Sequence, residues 1–177
     1  KTRNEMINNI QCFAFYFVVF ALIQIFVLNN IHFLRIATPF LYLYFILKLP
    51  VGTSRSLVVF FSFLMGLVID LFANTPRMHA AACTLVGFLR APLINVMMGN
   101  ELPEGVYPSF KVFGYGGFFR FSLFITILHH VALFSIESLT FFDPLFMLLR
   151  IVASAALTVL VIFIVEAFNI ESHRIDG

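Results

Sequence analysis

Residues 65–90, "MGLVIDLFANTPRMHAAACTLVGFLR", read as two apolar runs that carry Asp70 and Arg90. Charges in hydrocarbon are costly, and they mark positions where a side chain must find a partner. Two apolar stretches meet at the short polar sequence "ANTPR", so the segment predicts a helical hairpin in a membrane. Over the 177 residues, 61% are apolar and 11% are charged, against the roughly 25% charged of soluble domains. Twenty-five phenylalanines and no tryptophan extend the same character along the chain. The composition predicts an all-α polytopic membrane protein, with 1–177 forming a single integral membrane domain.

A span needs about 20 mostly apolar residues. Six candidate helices follow: about 10–28, 37–49, 57–74, 78–98, 118–136 and 145–168. The second is short or irregular; it starts in the polar stretch 29–36, tilts, or inserts partially from Pro39. The chain begins at Lys1, so an initiator Met is expected to precede it. The first run is longer than a signal peptide and has no small-residue cleavage site behind it, so it is expected to remain as a helix. Cys12 and Cys83 both lie in apolar runs, where a thiol acts as a small hydrophobe, and no disulfide is expected. A net charge of +2, spread along the chain, does not suggest nucleic acid.

Lys and Arg near the helix ends orient a membrane chain. With the N-terminus in the cytoplasm, the inner side holds Lys1, Arg3, Lys48, Arg55, Lys111, Arg120 and Arg174, and the outer side holds Arg35, Arg77 and Arg150. This asymmetry places both termini inside. The connection 99–117, "GNELPEGVYPSFKVFGYGG", is then a cytoplasmic loop, either lying on headgroups or docking a cytoplasmic partner.

Residues four apart share a helix face. Ser62, Gly66 and Asp70 form one stripe, as do Ser122, Thr126 and His130, with Glu137 continuing the latter. Ala80, Thr84, Gly87 and Ala91 form a small-residue stripe of the kind that lets helices approach closely. At about 1.5 Å per residue, Gln24, Asp70 and His130 each lie roughly 20 Å above the inner surface. His79 enters near the same level from outside. A polar layer of Gln24, Asp70, His79 and His130 is therefore expected in the outer half of the bilayer, with Arg77, Glu137 and Arg150 as its outer rim. The layer either joins the helices by hydrogen bonds, opens as a cleft for a partner or headgroup, or relays protons through Asp70 and His130. Asp70 needs a partner, and His130, His79 and Arg77 are the nearest candidates. Arg90 either snorkels toward the inner surface, bonds across helices or contacts a ligand. His129 and His130 point about 100° apart on a helix, so they do not suggest one metal site. No metal, cofactor or catalytic motif is expected, and the chain does not read as an enzyme.

One resemblance rests on "KLPVGTSRSLVVFFSFLMGLVIDLFANTPRMHAAACTLVGFLR" (48–90). Its Leu49–Pro50 turn, Gly66, Asp70–Leu71, His79–Ala80–Ala81 and Gly87 through Arg90 resemble the core of the bacterial rod shape-determining protein MreD family. "ALIQIFVLNN" and "RIATPFLYLYFIL" look like that family's first two segments. The chain departs from the pattern after Asp70, where the family has Gly in the loop and this sequence reads "ANTPRM". The resemblance implies a non-catalytic scaffold in the cytoplasmic membrane beside MreC, within the elongation machinery that includes the MreB filament, RodA and a class B penicillin-binding protein. The family's fold is also similar to substrate-binding subunits of energy-coupling-factor vitamin transporters, which implies the alternative of a small-molecule or lipid binder. Those subunits often carry paired alanines in the first helix, whereas Ala14 and Ala21 here are seven apart.

Overall fold

The computed structural model describes residues 3–28, 37–75, 77–99, 102–137 and 143–175, with side chains described between Ala14 and Phe168 within those ranges. The described residues form six helices: α1 (Arg3–Phe26), α2 (Tyr42–Lys48), α3 (Arg55–Ala73), α4 (Met78–Met98), α5 (Phe110–Glu137) and α6 (Pro144–Ile175). By length and composition, α3, α4, α5 and Pro144–Phe168 of α6 are each able to cross a membrane, and Ala14–Phe26 of α1 forms a shorter apolar helix. The protein is all-helical and has the makings of a multi-pass membrane protein.

Two element boundaries differ from the sequence expectation. The second run is helical only from Tyr42, and the residues before it, from Ala37 to Phe40, are extended or irregular. The expected loop 99–117 ends early, because α5 begins at Phe110. Gly114 interrupts α5 with φ +67°, a conformation open to glycine, so the helix turns there and then continues. The part of the second run placed at 29–36, together with Arg35, Pro76 and the termini at Lys1 and Asp176–Gly177, lies outside the described residues.

Neighbouring helices run antiparallel, as residue pairs along them show. Gln24 meets Pro39 and Leu41, while Phe17 meets Phe45. Gly66 abuts His79 and Ala80, while Gly87 abuts Ser62. His129 reaches toward His79, while Gly117 sits against Met98. Glu137 pairs with Arg150, while Phe118 packs on Phe163. α2 lies at the centre of the bundle, and its residues from Leu41 to Leu47 are all buried.

The closest approach is between α3 and α4. A Cβ on Gly66 would stand 2.5 Å from the His79 carbonyl oxygen and 2.6 Å from Ala80 Cα. One on Gly87 would stand 2.5 Å from Ser62 Oγ. Ser62 and Gly66 of the α3 stripe thus face Ala80 and Gly87 of the small-residue stripe on α4, and at Gly66 only glycine leaves room for the facing backbone. At the opposite end of the bundle from the α3–α4 turn, two loops are stitched together: Val51 N–H donates to Val106 O at 2.8 Å, and Gly105 N–H donates to Val51 O at 2.7 Å.

Candidate functional site

Around the start of α2 the backbone is unwound, and its polar groups need partners away from water. Side chains from two other helices supply them. The Gln24 amide on α1 accepts from Leu41 N–H at 2.8 Å and donates to Pro39 O at 3.0 Å. On α6, Ser154 Oγ accepts from Thr38 N–H at 3.2 Å, and Thr158 Oγ1 accepts from Phe40 N–H at 3.1 Å. Gln24, Ser154 and Thr158 are fully buried.

The histidines surround the same point. Tyr42 Oη lies 2.8 Å from His79 Nδ1 and 2.8 Å from His129 Nε2. A phenol carries one hydrogen, so Tyr42 donates to one ring and accepts from the other. His130 Nδ1 lies 2.7 Å from the Thr126 carbonyl, which only accepts, so that nitrogen carries the proton. Its Nε2 is then an acceptor for the Thr158 hydroxyl at 3.4 Å. Phe40 fills the space among the three rings, with centroids 5.5 Å from His79, 5.6 Å from His129 and 5.1 Å from His130.

Asp70 is at the same end, but its partners are not those expected. Its Oδ1 accepts from His79 N–H at 3.0 Å and from the Thr75 hydroxyl at 2.5 Å, and its Oδ2 accepts from Ala80 N–H at 2.8 Å. The expectation of a His130, His79 or Arg77 side chain is corrected. The carboxylate of α3 caps the first turn of α4, where orphan N–H groups and the positive end of the helix dipole favour an anion. The residue in the Ncap position, Arg77, makes no side-chain cap of its own. Asp70 and His130 bond to separate partners, and no hydrogen bond among the described residues joins them.

The other expected positions divide. Ser62, Gly66, Ala80 and Gly87 sit in the α3–α4 contact. Thr84 is half-buried and donates to Ala80 O of its own helix at 2.7 Å, and Ala91 is half-buried. Glu137 and Arg150 pair with each other at 2.8 Å, and Arg150 also lies 4.5 Å over the Phe134 ring. Arg77 is exposed and belongs to neither of the ion pairs formed among the described residues.

A second polar centre lies at the far end of α2. Glu166 on α6 is buried and accepts from the Tyr44 hydroxyl at 2.6 Å, from Lys48 Nζ at 3.0 and 3.2 Å, and from Phe110 N–H at 3.4 Å. Lys48 also donates to Pro108 O at 2.9 Å. Arg90 neither snorkels nor reaches a surface. Its guanidinium donates to Leu47 O at 3.2 Å and also to Leu49 O, which caps the carbonyl end of α2.

Sequence reasoning passed over Tyr42, Tyr44, Lys48, His129 and Glu166 as members of these centres. A signal for Glu166 was present: Ser154, Thr158 and Glu166 continue one i+4 stripe on α6, as Ser62, Gly66 and Asp70 do on α3. His129 was set aside because it points away from His130; it points instead to Tyr42.

No group of three or more His, Cys, Asp or Glu among the described residues has a metal-holding arrangement. Chemically, the two centres hold a short segment inside a bundle: neutral side chains meet its N–H groups and the Pro39 carbonyl at the start, and the Arg90 guanidinium meets its last carbonyls. No protein-family model, curated protein or solved structure matches the chain.

Proposed function

We propose that this protein is a non-catalytic membrane scaffold of the bacterial cell-elongation machinery. It crosses the cytoplasmic membrane six times with both termini in the cytoplasm, and its direct partner is MreC. The MreB filament, RodA and a class B penicillin-binding protein belong to the same assembly. The observation that carries this reading is the structural use of the resemblance motif. Gly66 lets α3 and α4 touch, Asp70 caps α4, and Arg90 caps α2. Several residues on which the likeness to the MreD family rests, Gly66, Asp70, Ala80, Gly87 and Arg90, thus build the α3–α4 hairpin and hold the end of α2.

A scaffold requires contact area and rigidity rather than a reactive group. Most buried polar groups at the two ends of α2 bond within the bundle, His129 Nδ1, Thr126 Oγ1 and Arg90 Nε being the exceptions, and Phe40 packs among the three histidine rings. That packing weighs against the small-molecule-binding alternative. Outward, Phe15, Phe26, Leu71, Phe72, Leu145 and Phe168 offer apolar surface to lipid or to a partner's helix.

The test is co-purification in mild detergent of the tagged chain with MreC from the same genome. The expected result is recovery of MreC with wild type and its loss with Gly66→Leu, while membrane abundance reports folding separately. Recovery of a stoichiometric vitamin or isoprenoid-linked molecule and no MreC would overturn the reading in favour of the binder.

A further inference from the structure

The outer face of the α3–α4 hairpin carries a groove of about 600 Å³, whose lining includes Val59, Phe63, Arg77, Ala81, Thr84 and Phe88. We infer that this groove is a site for one phospholipid with an anionic headgroup, its phosphate on Arg77 and one acyl chain lying toward Phe88.

Four observations carry the inference. Arg77 stands at the polar turn "NTPR" between two helices long enough to span the membrane, which places its guanidinium at headgroup level. It is exposed and takes part in neither ion pair among the described residues, so its charge is available to an anion. The floor offers no competing polar group, since the Thr84 hydroxyl already donates to Ala80 O. The walls are the apolar side chains of Val59, Phe63 and Phe88, and the Phe88 end is covered by Arg55, 4.3 Å over its ring.

Length and charge select the occupant. Arg77 and Phe88 are separated by eleven residues of α4, or about 16 Å along the axis. The groove is an open trough with one cation, Arg77, lining its end and apolar side chains along the rest, the pattern of a lipid's charged head and apolar chain. An acyl chain fits such a trough, and a guanidinium at its mouth holds a phosphate through charge-assisted, often bidentate, hydrogen bonds.

The test uses the full chain in nanodiscs of equal parts phosphatidylglycerol and phosphatidylcholine, with retained lipid counted by native mass spectrometry. Wild type is expected to retain one phosphatidylglycerol in several-fold preference: both lipids offer a phosphate to Arg77, but the choline cation of phosphatidylcholine opposes the guanidinium. Arg77→Gln is expected to bring the two lipids near parity. Ala81→Phe, which fills the groove from an exposed position, is expected to remove both. A photoactivatable phosphatidylglycerol on wild type, independent of either variant's folding, is expected to label peptides containing Phe63 or Phe88. Equal retention of both lipids by wild type, an unchanged preference in Arg77→Gln, labelling confined to other helices, or a polypeptide crosslinked at Ala81 would each overturn the assignment.

Discussion

At the start of α2 the bundle meets bare N–H groups with neutral oxygens, from Gln24, Ser154 and Thr158. At its end it meets bare carbonyls with a cation, Arg90 on Leu47 and Leu49. The difference follows from what each backbone end lacks. An N–H needs an acceptor, and amide and hydroxyl oxygens serve without introducing charge. A carbonyl needs a donor, and the long side chains of Lys and Arg also complement the negative end of the helix dipole. The same end holds a second cation, Lys48, whose charge pairs with buried Glu166 and which donates to Pro108 O of the loop before α5. One end of α2 is held by hydrogen bonds that tolerate loss singly. The other depends on a pair in which each charge requires its partner.

The sharpest way to break this contrast is Glu166→Leu. It leaves Lys48 without its carboxylate and the Tyr44 hydroxyl without its acceptor, and is expected to destabilise by about 3–5 kcal/mol. Thermal unfolding in detergent measures this, and Glu166→Leu with Lys48→Met is expected to recover part of the loss. Next comes Gly66→Leu, whose side chain would occupy the His79–Ala80 backbone. Overpacking of about 1–3 kcal/mol or more is expected, read as lowered membrane abundance.

Gln24→Leu leaves Leu41 N–H and Pro39 O unpaired at the neutral end. An expected loss of about 1–3 kcal/mol should appear as faster hydrogen exchange at Leu41. Tyr42→Phe leaves two buried ring nitrogens, His79 Nδ1 and His129 Nε2, without their partner and is expected at about 1–3 kcal/mol. It would also shift the ring-nitrogen NMR signals of His79 and His129 while leaving those of His130 in place. If Tyr42→Phe proved as damaging as Glu166→Leu, the proposed asymmetry between the two ends would fail. Asp70→Asn keeps the shape of the cap but removes its charge, and about 1 kcal/mol is expected; because the α4 terminus feels it first, amide exchange at His79 and Ala80 is the measurement.

The helical hairpin of α3 and α4 was legible before the structure, since Gly66 and Gly87 stand on stripes of small residues four apart. The convergence of Gln24, Asp70, His79 and His130 at one end was legible too, from depth counted along each helix. Their partners were not. Asp70 is expected to find a side chain because the sequence displays side chains, yet besides the Thr75 hydroxyl it bonds two backbone N–H groups whose availability exists only where α4 begins. Glu166 stood in view in "VLVIFIVEAF", 159–168, but its partner Lys48 had been assigned to a membrane surface by charge counting.

Taken alone, the amino-acid order determined that this chain forms apolar helices, which faces of α3, α4 and α5 carry small or polar residues, and which polar positions lie toward the same end of their helices. Periodicity and rise per residue suffice for that, because they are local properties of a helix. Only the tertiary structure decided that the short second run sits at the centre of the bundle. Once that segment is enclosed, its backbone must be satisfied from other helices, and this demand gives Gln24, Ser154, Thr158 and Arg90 their places.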